Sequence, residues 1–317
     1  MNIKMNKRLD DRLIQFNMKY QKAVYDMSMA KKKRVESYIS RIRKGDFAGI
    51  IRAAKYRSYG KRHFRQAGNS ILNSKCPKSV EGKRIAAYSC IIGRYDEIIE
   101  PINVEKDIDY ILFTDLDISP DSVWRKIDVT QFPEYKKFSP VQMNRKIKIL
   151  PELFLKEYDY SIYLDGNIEI VTGLAQLISD MGNCSFGLHY HNTRDCIYEE
   201  KVAIEYYKKA DTVLVNEQLT KYENEGFPHH FGLFENSILI RAHLDSQVSN
   251  LMKDWWKEYQ MYPTRDQLSL PYILWKSEFP KERIFILGNN IDRNPRFNRE
   301  MKHTYKEVHK KAGFIMK

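Results

Sequence analysis

Asp165 and Asn167 stand two residues apart, with Gly166 between them, at the end of the run Tyr158-Asp-Tyr-Ser-Ile-Tyr-Leu164. Five of the seven residues from Tyr158 to Leu164 are aromatic or aliphatic. That spacing predicts a buried strand delivering Asp165 to the carboxyl edge of a sheet, which is where open α/β sheets bind ligands. A carboxylate and an amide oxygen so placed are hard donors for a divalent cation, and the glycine lets the backbone turn tightly beside a ligand. Asp-Gly-Asn is also ordinary turn chemistry. The triplet gains meaning only from its company.

Several residues are expected to keep it that company on the donor side. Arg94 and Asp96 follow a first apolar run, Asp115 and Asp117 follow a second, and Arg145 and Lys146 fall on a helix. Carboxylates hydrogen-bond ribose hydroxyls, and guanidinium forks suit diphosphate oxygens. Neither a Gly-x-Gly-x-x-Gly turn nor a Walker loop is present, so a dinucleotide enzyme and a P-loop nucleotidase are not supported.

A second cluster, His189-Tyr-His191-Asn-Thr-Arg194-Asp195-Cys196-Ile-Tyr198-Glu199-Glu200, is dense in ionisable groups. Asp195 can cap a helix starting at Ile197, and Glu199 and Glu200 suit that helix's positive end. This local explanation leaves His189, His191 and Arg194 over, and a substrate site is the alternative. Third come Glu235-Asn236 and Arg265-Asp266-Gln267, where Asp266 could stabilise a developing positive charge or merely complement a helix start. Trp255-Trp256 can stack on sugar rings or pack in the core. His303 is a late residue able to complete a metal site.

The elements that position these groups alternate between strand and helix. Strands are expected at Arg84–Ile92, Tyr110–Thr114, within Val123–Val129, and at Tyr158–Leu164, Ile168–Val171, Phe186–Tyr190, Ser237–Arg241 and Ile284–Leu287. Ser139-Pro140 reads as an N-cap and first helical residue, so Val141–Leu150 is expected to be helical. Further helices are expected over Leu174–Met181, Ile197–Ala210, Thr212–Glu225, Leu244–Tyr259 and Arg265–Trp275, the last interrupted by Pro271. The alternation argues for an α/β sandwich.

The net charge of +12 is unevenly placed. Residues 1–83 carry 22 Lys/Arg against 6 Asp/Glu, and the remainder carries 31 against 35. Leu9, Leu13, Phe16, Tyr20, Val24 and Met27, continued by Val35, Ile39 and Ile42, follow helical spacing among these basic residues. The Asn-, Ser- and Gly-rich stretch Gly68–Gly82 then suggests a boundary, giving a basic helical extension and linker over 1–80 and a main domain over 81–317. The extension suits packing on the main domain, self-association or an anionic membrane surface. Nucleic acid ranks behind these, because no nucleic-acid motif accompanies the charge. Cys76, Cys90, Cys184 and Cys196 form no Cys-x-x-Cys pair, and no stretch approaches the roughly 18 uninterrupted apolar residues of a membrane span. The expectation is a cytosolic protein, peripheral to the inner membrane face or bound to a partner enzyme through its extension.

Asn144-Arg-Lys-Ile-Lys-Ile-Leu-Pro151, Glu157–Asn167, Arg194–Glu200, Gly232-Leu-Phe-Glu-Asn236 and Arg265-Asp-Gln-Leu-Ser269 together resemble a glycosyltransferase-like family. Its plant members include the mucilage-related and turgor-defect proteins, and its bacterial members look like enzymes of surface polysaccharide synthesis. The resemblance spans roughly residues 84–300. It implies a GT-A-like α/β sandwich that takes a sugar from a nucleoside diphosphate sugar and adds it to a glycan acceptor, with Mn²⁺ or Mg²⁺ beside the diphosphate. Asp165 and Asn167 match the metal and donor motif, with His303 as a further candidate ligand. Arg145 matches the donor-binding helix, joined by Arg94, Asp96 and Asp115. Asp266 matches the acceptor-side or catalytic position, and Glu235 and Glu199 are the other candidate catalytic carboxylates. His191, Arg194, Glu200, Asn236 and Gln267 are the acceptor-binding candidates. Family members described as ceramidases leave a hydrolase open, with His189 and His191 activating water, and a non-catalytic glycan-binding scaffold is the third alternative.

Overall fold

The computed structural model describes residues 32–66 and 76–299, together with Gln21, Met29 and Ala30. The expected helical face from Leu9 to Met27 and the candidate ligand His303 lie outside the described residues. Residues 32–43 are helical (α1), and α2 (Phe47–His63) follows, with Asp46 accepting the Gly49 N–H at 2.8 Å as its N-cap.

Seven strands form the main sheet: β1 (Ile85–Ile91), β2 (Ile108–Thr114), β3 (Arg125–Asp128), β4 (Tyr160–Leu164), β6 (Phe186–Tyr190), β7 (Phe234–Ala242) and β8 (Ile284–Ile286). Their order is β3-β2-β1-β4-β7-β6-β8. All neighbours run parallel except at β7, which is antiparallel to both β4 and β6. A two-stranded antiparallel sheet pairs β5 (Ile168–Ile170) with β9 (Phe297–Arg299).

β1 is buried at every position because the sheet is covered on both sides. Ala86, Tyr88 and Cys90 belong to one apolar cluster and Ile85, Ala87 and Ile91 to another, as the two-residue period of a strand requires. The first cluster is closed by α3 (Pro140–Ile149), α5 (Ile197–Tyr207), α6 (Thr212–Asn224), α7 (Ser246–Met261) and α8 (Asp266–Lys276), and the second by α4 (Ala175–Asp180). Trp255 and Trp256 both belong to the first, with Trp255 Nε1 donating to Ser269 Oγ at 3.0 Å, so this pair is core rather than a sugar platform.

The helix starts are set locally. Ser139 and Gln142 form a reciprocal capping box with Pro140 behind it, and Asp211 and Asp245 cap α6 and α7. α8 runs through Pro271, and every residue from Asp266 to Leu274 is buried. That burial offsets the roughly 3 kcal/mol cost of an interior proline. The parallel strands bring the carboxyl ends of β1, β2, β4 and β6 to one edge of the sheet, where antiparallel β7 begins. The sequence moves outward on one side from β1 to β2 and on the other to β4, so a crevice opens between β1 and β4.

Candidate functional site

At that crevice β4 ends on Asp165. Its backbone N–H donates to Ser237 O at 2.8 Å, and its Oδ1 accepts the Tyr163 hydroxyl at 2.8 Å. Burial and the neighbouring Asp165 charge both push the Tyr163 pKa well up, so the hydroxyl keeps the proton it donates. Gly166 is packed tightly: a Cβ there would lie 2.8 Å from Ile91 Cγ1 and 3.0 Å from Asp96 Oδ2. Asp96 therefore lies against the turn. Asp115 serves the loop after β1, accepting the Gly93 N–H at 3.0 Å and the Tyr135 hydroxyl at 2.9 Å. It fixes a stretch in which Gly93 and Arg94 both adopt left-handed backbone, φ +67° and +56°. Asp117, by contrast, is exposed and only 3.8 Å from Lys126.

The cationic side of the crevice comes from α3, which Asn144 pins over β1 by donating to Cys90 O at 2.8 Å. Arg145 and Lys148, three residues apart on one helical face, both reach Asp266. Arg145 Nε is 3.4 Å from Asp266 Oδ1, and Lys148 Nζ is 2.8 Å from Oδ2. Lys148 also lies 3.4 Å from Asp165 Oδ1. One buried ammonium thus joins the strand turn to the start of α8. Burial alone would raise the Asp266 pKa, but Arg145, Lys148 and Arg265 hold its carboxyl well below the usual range. Burial likewise disfavours the Arg145 charge, and Asp266 and Asp165 more than restore it. A carboxylate so firmly ionised is a weak base; in this structure Asp266 holds two cations.

Sequence position alone did not single out Lys148 as a site residue. The available signal was its place inside the run Ile147-Lys-Ile-Leu150, where a lysine has no apolar-free face to occupy. Arg299 is a second such residue, donating to Asp292 through Nε and NH2 at 2.8 Å and lying 3.6 Å from Glu235 Oε1. Glu235 also accepts the Ser237 hydroxyl at 2.7 Å. Beside it Asn236 is buried, with neither amide atom hydrogen-bonded. Gln267 braces α8 against β7, donating to Phe234 O at 3.2 Å and accepting from Arg265 at 2.6 Å.

The second cluster divides in two. His191 Nδ1 accepts the backbone N–H groups of Thr193 and Arg194, at 3.3 and 3.2 Å. Arg194 Nε donates to Glu200 Oε2 at 2.6 Å, its NH1 lies 3.4 Å from the Tyr56 hydroxyl, and its guanidinium covers the Phe64 ring. Tyr56 of α2 stacks on Tyr206 of α5 at 4.2 Å. His191, Arg194 and Glu200 are thus partnered with each other and with the segment around α2. Burial, then Arg194, pushes the His191 pKa down to about 4. His189 is buried against Asn294 Nδ2, 2.9 Å from its Nε2, and burial pushes its pKa down to about 3. Neither histidine is placed as a base for water. The other half of the cluster groups Asp195, Glu199 and His230. Asp195 does not cap α5: the N-cap is Cys196, without a side-chain hydrogen bond, and Asp195 pairs with His230 instead.

As a cation site the Asp165 turn offers oxygen donors only, Asp165 with Asp96 against it and Asn167 following. That set fits a hard dication of the Mg²⁺ or Mn²⁺ kind, which takes one or two carboxylates and completes its shell with phosphate oxygens. A depression lined by Phe231, Trp275 and Phe279 together with the charged Glu225, Lys276 and Lys281 lies at the other end of α8 from Asp266.

No curated protein matches the sequence. Similar solved structures include the bifunctional glycosyltransferase WbbM in its apo form, at 13% identity and a TM-score of 0.39, covering 67% of this chain and 40% of that one. The match therefore spans well under two thirds of the WbbM chain. Mouse xyloside xylosyltransferase 1, apo form, matches at 13% identity and 0.37, covering 64% of this chain and 84% of that one. The galactosyltransferase LgtC, in complex with donor and acceptor sugar analogs, matches at 14% and 0.35, covering 60% and 70%. The sequence itself matches the TOD1/MUCI70, glycosyltransferase-like domain over residues 15–303, a span that takes in α1 and α2 as well as the 84–300 region carrying the motifs. With nearly its whole length matched, the chain belongs to the TOD1/MUCI70 glycosyltransferase-like family.

Proposed function

We propose that this protein transfers a hexosyl group from a nucleoside diphosphate sugar to a glycan acceptor in surface or capsular polysaccharide synthesis. The observation that carries the reading is the Lys148 bridge. A buried ammonium 3.4 Å from Asp165 and 2.8 Å from Asp266 ties the turn at the β1–β4 crevice to Arg145 on the same helix. Departure of a nucleoside diphosphate builds negative charge on its oxygens, and preorganised cations at that position lower the barrier. Arg145, about a quarter exposed, is the guanidinium of this group that can reach a diphosphate. Asp165, Asp96 and Asn167 would hold a Mg²⁺ or Mn²⁺ ion, which when bound neutralises diphosphate charge. Asp96 and Asp115 are assigned to the nucleoside side, Asp115 through the Gly93–Arg94 loop that it fixes.

On the acceptor side Glu235 remains partly exposed, between Ser237 and Arg299, and we assign it the orientation of the attacking hydroxyl. Asn236 brings a buried amide without hydrogen bonds to the same strand start. In this proposal the enzyme works on the cytoplasmic side, held at an anionic membrane surface by its extension. Val35, Ile39, Ile42, Phe47 and Ile51 are exposed on α1 and α2, among Lys32, Arg34, Arg41 and Arg43. No helix among the described residues is long and apolar enough to cross a membrane.

A thermal-shift series with UDP, GDP and CMP, each with and without Mn²⁺, tests the donor reading. Stabilisation by one nucleotide in the wild type and not in Asp165→Ala is the expected result. Indifference to all three would sink the assignment.

A further inference from the structure

Away from the Asp165 turn, three segments bring two carboxylates and an imidazole to one point. Asp195 ends the loop after β6, Glu199 lies in the first turn of α5, and His230 stands in the loop before β7. Ligand atoms from all three lie within 4.8 Å of one another. His230 Nδ1 is 2.7 Å from Asp195 Oδ1, and its Nε2 is 3.9 Å from Glu199 Oε1. The two loops are also laced together by the backbone, Gly232 N donating to Asp195 O at 3.0 Å.

An ordinary ion pair accounts for Asp195 and His230, but not for Glu199. That residue is only 6% exposed, and its Oε2 is buried without a hydrogen-bond partner. Glu200 beside it has Arg194 at 2.6 Å; among the described residues Glu199 has only His230, at 3.9 Å. Among the described residues neither His63 nor Arg65 forms an ion pair with it. Two carboxylates this close, one of them buried with an unpartnered oxygen, repel each other, and a cation between them offsets that cost.

We propose that Asp195, Glu199 and His230 bind a divalent transition-metal ion, of the Zn²⁺ or Mn²⁺ class, at a site separate from the Asp165 turn. The imidazole decides the class, since Mg²⁺ and Ca²⁺ favour oxygen-only shells while Zn²⁺ and its neighbours accept mixed nitrogen and oxygen ligands. The ion clasps the loop after β6, the start of α5 and the loop before β7 together. This site does not depend on the transferase reading.

The test uses the full chain, stripped with chelator and then titrated separately with Zn²⁺ and with Mn²⁺. Bound metal is counted by mass spectrometry after gel filtration, and thermal shift is read in parallel. Without nucleotide, when the Asp165 turn lacks the phosphate oxygens that complete a cation's shell there, the wild type and Asp165→Asn should both retain one equivalent of one of the two metals. Glu199→Gln and His230→Gln should bind it at least tenfold more weakly while keeping the wild-type circular dichroism. His230 is more than a third exposed, so folding of His230→Gln is not at stake. No metal uptake by the wild type, undiminished uptake by both variants, or loss of uptake in Asp165→Asn would each overturn the site.

Discussion

Lys148 Nζ lies 2.8 Å from Asp266 Oδ2, with the two side chains only 2% and 4% exposed. Removing one partner of a buried pair strands the other charge, at a cost of about 3–5 kcal/mol. Arg145 stays beside Asp266, so Lys148→Met is expected toward the lower end of that range in urea unfolding, together with loss of sugar transfer. A Lys148→Met protein as stable and as active as the wild type would remove this residue from the site.

Asp165 should behave differently. It is about one third exposed, and without it Lys148 still has Asp266. Asp165→Ala is therefore expected to cost only about 1–3 kcal/mol, from the buried Tyr163 hydroxyl that loses its acceptor. Transfer should fall on the order of 100-fold or more, as when a preorganised charged contact to the transition state is lost. Parallel denaturation and donor-turnover assays separate the two effects, and a variant that unfolds would show that the turn is structural.

Gly166 has no room for a side chain. A methyl group would meet Ile91 Cγ1 at 2.8 Å and Asp96 Oδ2 at 3.0 Å, and Ile91 sits within the packed end of β1. Gly166→Ala should displace the Asp165 turn at a cost of about 1–3 kcal/mol, the usual penalty for overpacking. Nucleotide-induced thermal stabilisation should drop with it. Wild-type nucleotide response in Gly166→Ala would mean the turn can relax without consequence for the donor.

Stability should fall on acidification through the buried histidines. Burial, followed by Arg194 for His191 and Arg241 for His243, pushes both pKa values down to about 4 from an ordinary 6.5. Between pH 6.5 and 4 the unfolded chain binds protons that the folded chain excludes, so stability rises with pH across that window. The stabilisation is fully present above pH 6.5 and lost by about pH 4, with roughly 3 kcal/mol per histidine as an upper bound. Urea midpoints at pH 7 and pH 5 measure the slope. His243→Gln, which can still bond Ser161 Oγ in place of the imidazole, should flatten it; an unchanged slope would locate the titration elsewhere.

The Arg194–Glu200 pair should hold the region around α2 in place. Glu200 is 1% exposed, so Arg194→Ala leaves a buried carboxylate unpaired and frees the contacts to Tyr56 and Phe64. Hydrogen exchange should accelerate across Phe47–His63 in that variant. The exposed Asp117, 3.8 Å from Lys126, supplies the control: Asp117→Asn should change nothing measurable. Unchanged protection of α2 in Arg194→Ala would show that Tyr56 stacking on Tyr206 suffices.

What the amino-acid sequence determined by itself is what depends on near neighbours. β1 and β4 announce themselves because strands covered on both faces must be apolar throughout, and α3 because Ser139, Pro140 and Gln142 meet within one turn. Asp165 at a strand end, Arg145 on a helix and Asp266 at a helix start were legible for the same reason. Only the tertiary structure decided which charges meet. Lys148 gains its meaning from Asp165 and Asp266, groups on other elements, and Arg194 from Tyr56, 138 residues away. Chain folding likewise turned Asp195 from an expected cap into the partner of His230. Burial makes these pairings obligatory, because an ion removed from water must find its counter-charge wherever the packed elements bring one, and no local spacing records that choice.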